Sequence, residues 1–521
     1  MEENVQVKDQ QCWECRRRRV VCDSTHPVCR KCSTAGIVCP GYTDKKPLKW
    51  LAPGQVVSRA QKQRCRRPRV KRIKSRKSET ESNDTSNPDD GVLVSAASTS
   101  PRLPAVQLRH ESVDIIDAAT YYNDQIYPQH CSNQLEPSPF VIVLPDLSLL
   151  PVALTHTLVS VAISHRLFKT TGVVAKDSSL SDPDMWSRLY HHRDIAIRSL
   201  NELIGSEKTR CSDVTISCVY SFLFAVLQQS MTPRWRQHVD GFVKMIMLRG
   251  GFVALLRSSP YMQLPVLGFW VVGVLANTTS PANDQIEVCL QPDTAQVLLR
   301  LYNKLHYPSM HCPTTLFADI TAINNLRHQA TKRSRAVTVV SDPDSIDEFE
   351  PDQDLLDLKS RAKTLLHQIE RFSPDDWADT KNPLFPEIFC LIGRIFHSTV
   401  ALYCILSLQS VSLLPSTTPE IEVIRARHAR ILFVAMEKGL AVPQVRSCMT
   451  WPMVVAGVEA ARAGAGVRTF IVRELEAMGR EQGRSSSLVA KGLLERFWAG
   501  DGRGGKGRWD ECFDVPYALV L

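Results

Sequence analysis

Six cysteines fall within 28 residues, in CWECRRRRVVCDSTHPVCRKCSTAGIVC (12–39). Their spacing is Cys12-x2-Cys15-x6-Cys22-x6-Cys29-x2-Cys32-x6-Cys39, so the second half echoes the first. Three chemistries compete for such a stretch: a disulfide knot, a redox site or a metal cluster. MEENVQVKDQQCWECRRRR has no apolar segment of the secretory type, and an intracellular chain keeps its thiols reduced, which favours metal. A C-x2-C pair can place two thiolates on one tetrahedral ion at about 2.3 Å. Two separate four-ligand sites need eight sulfurs. Six suffice if two of them bridge both ions.

This framework resembles the binuclear zinc cluster of fungal transcription regulators. The resemblance implies two Zn²⁺, with Cys12 and Cys29 bridging, Cys15 and Cys22 completing one ion, and Cys32 and Cys39 completing the other. Pro27 matches the loop proline before the fourth cysteine, and Asp23 is also frequent there. Two Zn²⁺ and six thiolates leave about −2 on the cluster, which basic neighbours offset. In that family the residues three and four after the second cysteine, here Arg18 and Arg19, meet bases or nearby phosphates in the major groove of duplex DNA. A CGG-type half-site is implied by resemblance alone. Arg16, Arg17, Arg30 and Lys31 are expected on phosphates or beside the cluster. Val21 departs from the basic residue usual before the third cysteine, which leaves the detail of sequence preference open.

The net charge of +9 is unevenly spread. Residues 1–78 hold 21 Lys and Arg against 6 Asp and Glu, a net of +15; the remainder carries 42 against 48, a net of −6. A polyanion-binding arm on a near-neutral body follows. The arm reads as a cluster domain (1–44) and a basic linker (45–78). The linker's dense part, Arg64, Arg66, Arg67, Arg69, Lys71, Arg72, Lys74, Arg76 and Lys77, reads as a nuclear localisation signal with phosphate contacts. GYTDKKPLKWLAPG is similar to the acriflavine-sensitivity-control subgroup.

Residues 79–110, rich in Ser, Thr, Asp and Pro, read as a disordered linker. No apolar heptad follows the cluster, leaving a monomer and a dimer through the large domain both open.

A body that is 44% hydrophobic over a 521-residue chain can bury a sizeable core. From 111 to 498 the apolar periodicity is helical, with few period-two strands, so the fold class is a small zinc cluster plus a large all-α regulatory domain. Ser112 is expected to cap a first helix carrying Ile115, Ile116, Ala119 and Tyr122. Met185, Leu189, Ala196, Ile197, Leu200 and Leu203 mark a helix over 184–204. Val239, Phe242, Val243 and Ile246 mark another over 235–248, ended by Arg249-Gly250-Gly251. The stretches 355–372 and 421–440 look the same. YYNDQIYP, WRQHVDGFVKMIMLRGG, VLANTTSP and RFW resemble the fungal-specific regulatory domain that accompanies such clusters. Residues 499–521 read as a C-terminal tail. The longest strongly apolar stretch, 264–276, contains Pro265 and falls short of the ~20 residues of a spanning helix, so a chain without membrane contact is expected.

Catalytic motifs fail on inspection. His192-Arg193-Asp194 mimics a kinase catalytic loop, but Ser199 stands where asparagine is needed. GDGRGGKG (500–507) nearly spells a phosphate-binding loop, but Gly507 replaces the Ser or Thr. The acidic stretch 342–354 mixes carboxylates with Ile346 and Phe349, a composition that can contact the transcription machinery, although a solvated loop is the simpler reading. The expected function is zinc-dependent, sequence-specific DNA binding that regulates RNA polymerase II transcription in the nucleus. The rivals are a DNA-tethered helical enzyme, which lacks any catalytic constellation, and an RNA-binding or structural zinc protein, which lacks interleaved aromatics for stacking bases.

Overall fold

The computed structural model describes residues 11–18, 20–26, 28–37, 39, 110–130, 141–171, 182–229, 235–305, 311–340, 352–382, 384–416, 418–500 and 508–519. The chain divides into two units, 1–102 and 103–521. Among the described residues all regular structure is helical. The basic linker with its proposed import signal, residues 79–109 of the expected linker 79–110, and the glycine-rich run 501–507 lie outside the described residues.

In the first unit two short helices, Trp13–Arg18 and Arg30–Thr34, each start at a C-x2-C pair. Among its described residues the buried ones are thiols alone: Cys12, Cys15, Cys29 and Cys32 are fully buried, with Cys22 and Cys39 packed against them. A unit with so little apolar core folds only with something to tie the sulfurs together.

The second unit builds its core around two long apolar helices, Gln263–Thr278 and Pro386–Ser410. Every residue from Val266 to Thr278 is buried, and so is nearly every residue from Ile392 to Leu408. The 386–410 helix packs against Thr314–Val340, Gln353–Glu370, Pro374–Lys381, Pro419–Leu440 and Thr450–Glu459. Its most apolar part reaches a mean hydropathy of 1.7, against 1.2 for 260–278. Both helices have the length and composition to cross a membrane, and both are mostly buried in protein.

Several expected helices occur with shifted ends. The first spans Glu111–Tyr121, and its cap is His110, whose Nδ1 accepts from the Ser112 N–H at 3.2 Å, rather than Ser112 itself. Ile116 and Ile197 were expected inward but are exposed; the inward faces carry Ala118 and Ala119 in one helix and Trp186, Leu189, His192, Ala196 and Leu200 in the other. That second helix, Pro183–Gly205, contains the His192-Arg193-Asp194 motif. Trp235–Leu248 ends at Gly250 with φ +85°. Of the acidic stretch, Asp352 accepts from Leu355 N–H at 3.2 Å at the start of Gln353–Glu370, and Asp352 and Asp354 pair with Arg333.

Periodicity gave no sign of the part played by residues 508–519. Trp509, Cys512 and Phe513 are buried. Trp509 Nε1 donates to Thr278 O at 2.8 Å, Thr279 Oγ1 to Tyr517 O at 2.6 Å, and Trp235 Nε1 to Pro516 O at 3.3 Å. Arg327, fully buried, donates to Asn277 O and Ser280 O at 3.0 Å, to the Tyr403 hydroxyl at 3.1 Å and to Asp510 Oδ1 at 2.5 Å. The quoted stretch VLANTTSP is thus the polar hub at which the end of one core helix, Arg327 and residues 508–519 meet.

Candidate metal centre and nucleic-acid interface

The two cluster helices begin on sulfur. Cys12 Sγ accepts from Cys15 N–H at 3.4 Å, and Cys29 Sγ accepts from Cys32 N–H at 3.3 Å, the N-cap position of the second helix. Each C-x2-C pair thereby folds its own helical turn and brings both thiols to one side. Asp23 fixes the second half: its carboxylate accepts from Thr25 Oγ1 and from the Arg30 and Lys31 N–H groups at 3.1 and 3.4 Å. The Thr25 hydroxyl, with the Arg30 N–H, holds its pKa below the usual carboxylate range. Gly36, at φ +62°, takes the left-handed conformation that closes the second helix and returns the chain toward Cys39.

The sulfurs of Cys12 and Cys29 lie 3.6 Å apart, Cys12 and Cys32 3.8 Å, Cys15 and Cys29 3.6 Å, and Cys15 and Cys32 4.0 Å. Sulfurs sharing a tetrahedral zinc at ~2.3 Å stand about 3.8 Å from one another, so the donor set fits zinc–thiolate geometry. Cys22 joins through Cys12 N–H at 3.5 Å and a thiol contact with Cys15; Cys39 joins through a thiol contact with Cys12. Burial, assisted by hydrogen bonds among the thiols, pushes Cys12, Cys15 and Cys32 up to about 12. Metal binding must therefore displace protons, and the affinity falls with acid.

Of the expected DNA contacts, Arg16 and Arg18 are exposed on the first helix and Arg30 and Lys31 on the second. Arg17 lies in the first helix, but its side chain is outside the described residues, as are Arg19 and Pro27. Val21, the residue that departs from the usual basic one, is 79% exposed. Sequence reasoning missed how Asp23 works, because its partners sit seven and eight residues ahead.

Residues 10–49 match the fungal Zn(2)-Cys(6) binuclear cluster domain, and residues 118–520 match the fungal specific transcription factor domain. The chain is similar to the phomenoic acid biosynthesis cluster-specific transcriptional regulator of Leptosphaeria maculans, with 32% identity over 519 residues, 98% of this chain and 89% of that protein. A 44-residue stretch is 46% identical to arginine metabolism regulation protein II of Saccharomyces cerevisiae, covering 8% of this chain and 5% of that protein. No solved structure matches. A two-zinc cysteine cluster with basic helices, joined to a helical domain matched over most of its length, places this chain in the fungal Zn(2)-Cys(6) transcription factor family, as a DNA-binding regulator of transcription and not an enzyme.

Proposed function

We propose that the protein is a nuclear regulator of RNA polymerase II transcription that reads a G-rich half-site through Arg18 and Arg19 and serves the genes of one biosynthetic cluster. The observation that carries the reading is the exposed basic helix that starts inside the sulfur cluster: Arg16 and Arg18 project to solvent from a helix whose first turn is anchored by Cys12 and Cys15. Such anchoring presents a guanidinium fork at fixed height, as bidentate contact with guanine O6 and N7 requires. Cys12 and Cys29 act as the bridging ligands. Their 3.6 Å separation, with Cys22 beside Cys15 and Cys39 beside Cys12, supports Cys15 and Cys22 on one ion and Cys32 and Cys39 on the other. The end-to-end likeness to a regulator named for a single biosynthesis cluster supports the gene-cluster role.

Binding to a randomised duplex library at two salt concentrations tests the reader. Arg19→Ala is expected to cost ~1–3 kcal/mol on the preferred site and to flatten preference at one base pair. Replacing Lys71 or Lys74 should weaken all duplexes alike and lower the salt slope by about one unit for each lost phosphate contact. Uniform weakening by Arg19→Ala removes that residue as a reader. Paired half-sites in the selected sequences would show a dimer, and single ones a monomer.

A further inference from the structure

We propose that Glu370, His397 and His428 form a third metal site, for a borderline divalent ion such as Zn²⁺, Co²⁺ or Ni²⁺, inside the helical domain. Glu370 is the last residue of Gln353–Glu370, while His397 and His428 lie within Pro386–Ser410 and Pro419–Leu440. One ligand atom from each falls within 4.8 Å of the others. The two imidazoles meet edge to face with centroids 5.0 Å apart.

The second partners of the rings carry the argument. His397 Nε2 is held by Ile369 O at 2.9 Å, leaving Nδ1 as its ligand atom. His428 Nδ1 is held by Ser398 Oγ at 3.2 Å, directing Nε2 at Glu370 Oε1, 2.5 Å away. A backbone carbonyl or hydroxyl on the far nitrogen is what fixes the tautomer and angle of a metal-binding histidine. The other oxygen of Glu370, Oε2, accepts from Arg427 Nη2, which leaves Oε1 for the ion. Two imidazoles and one carboxylate are the donor set of zinc and its neighbours rather than of Mg²⁺ or Ca²⁺. Replacing the His428–Glu370 proton by an ion at ~2.0–2.1 Å from each atom requires them to part by under about 1 Å. Glu370, at a helix end and 17% exposed, can supply that movement. Such an ion would tie three helices of the core together.

The test uses the full chain, loaded with zinc and freed of excess by gel filtration, in native mass spectrometry. The wild type is expected to carry three ions, and His397→Ala and His428→Ala two each. Cys12→Ser is expected to keep one, which the added His397→Ala removes. Far-UV circular dichroism confirms folding; if His428→Ala does not fold, His397→Gln at the half-buried ring gives the same reading. Two ions in the wild type, or a third ion that survives both histidine variants, overturns the proposal.

Discussion

Asp510→Ala should loosen the helical domain from its far end. Arg327 is fully buried, and Asp510 Oδ1 at 2.5 Å is its only carboxylate partner among the described residues. Its remaining acceptors are the Asn277, Thr278 and Ser280 carbonyls and the Tyr403 hydroxyl. Removing one member of a buried ion pair costs about 3–5 kcal/mol, because the other charge is left uncompensated. Asp510 is 27% exposed and four neutral acceptors remain, so the lower end, about 3 kcal/mol, applies here. The helical unit spans 103–521, about 420 residues. With an unfolding entropy of about 2.1 cal/mol/K per residue, 3 kcal/mol lowers Tm by about 3–4 °C. Urea unfolding followed by far-UV circular dichroism and by tryptophan fluorescence measures it, since Trp509 is adjacent and buried. Arg327→Met combined with Asp510→Ala completes the cycle; the pair should couple by about 2 kcal/mol. A loss under about 1 kcal/mol for Asp510→Ala, with no coupling, would falsify the claim that this pair fastens residues 508–519 to the core.

Cys12→Ser should release both zinc ions in native mass spectrometry, apart from any ion in the helical domain, whereas Cys39→Ser should release one; equal losses would refute the assignment of Cys12 as a bridge. Burial raises the Asp319 pKa to about 6 despite the hydrogen bond from Gln368. The folded chain therefore binds a proton that the unfolded chain, with a pKa near ~3.9, has released. This contribution to stability is full below pH ~4 and lost as pH rises through about 6. Asp319→Asn should remove that slope and gain about 1–3 kcal/mol at pH 7.5; an unchanged wild-type-minus-variant difference between pH 4 and 7 would count against it. Gly483→Ala should cost about 2–4 kcal/mol in urea unfolding, because φ is +59° and the new Cβ would lie 2.4 Å from His165 Cδ2. Deleting 64–77 should move a fluorescently tagged chain from nucleus to cytoplasm with zinc content unchanged; undiminished nuclear accumulation would place the import signal elsewhere.

How much of this was legible in the sequence depends on how far each partner lies along the chain. The cysteine framework was readable because the ligands are local and of a rare type, and the fold gathers the sulfurs of Cys12, Cys15, Cys29 and Cys32 within 4.8 Å of one another. Helical character was readable from period, but helix ends were not: His110 caps where Ser112 looked the better candidate, because a ring nitrogen two residues upstream reaches the same N–H. Ile116 and Ile197 fit the apolar stripe yet face out, since the stripe of a multi-helix domain is set by neighbours and not by the helix alone. Arg327 and Asp510 are 183 residues apart, and Glu370 and His428 are 58 apart. A single sequence contains no sign that such residues meet. The polar run VLANTTSP looked like a helix end, and only the fold shows its carbonyls and hydroxyls receiving Arg327, Trp509 and Trp451.

The docking of residues 508–519 also sets an order of events during synthesis. Thr278, Thr279, Trp235, Arg327 and Ser410 all leave the ribosome before the segment they bind. Until it arrives, Arg327 has no carboxylate and the Thr278–Ser280 hub faces an unfilled groove, so the core cannot close in the order in which it is made. Helices up to about 500 can form and pair, but the final step joins positions more than 200 residues apart, a slow class of contact. Messages cut short before codon 508 would therefore yield chains with an intact DNA-binding arm and an unsealed regulatory domain, open to the cell's proteases through exposed apolar surface.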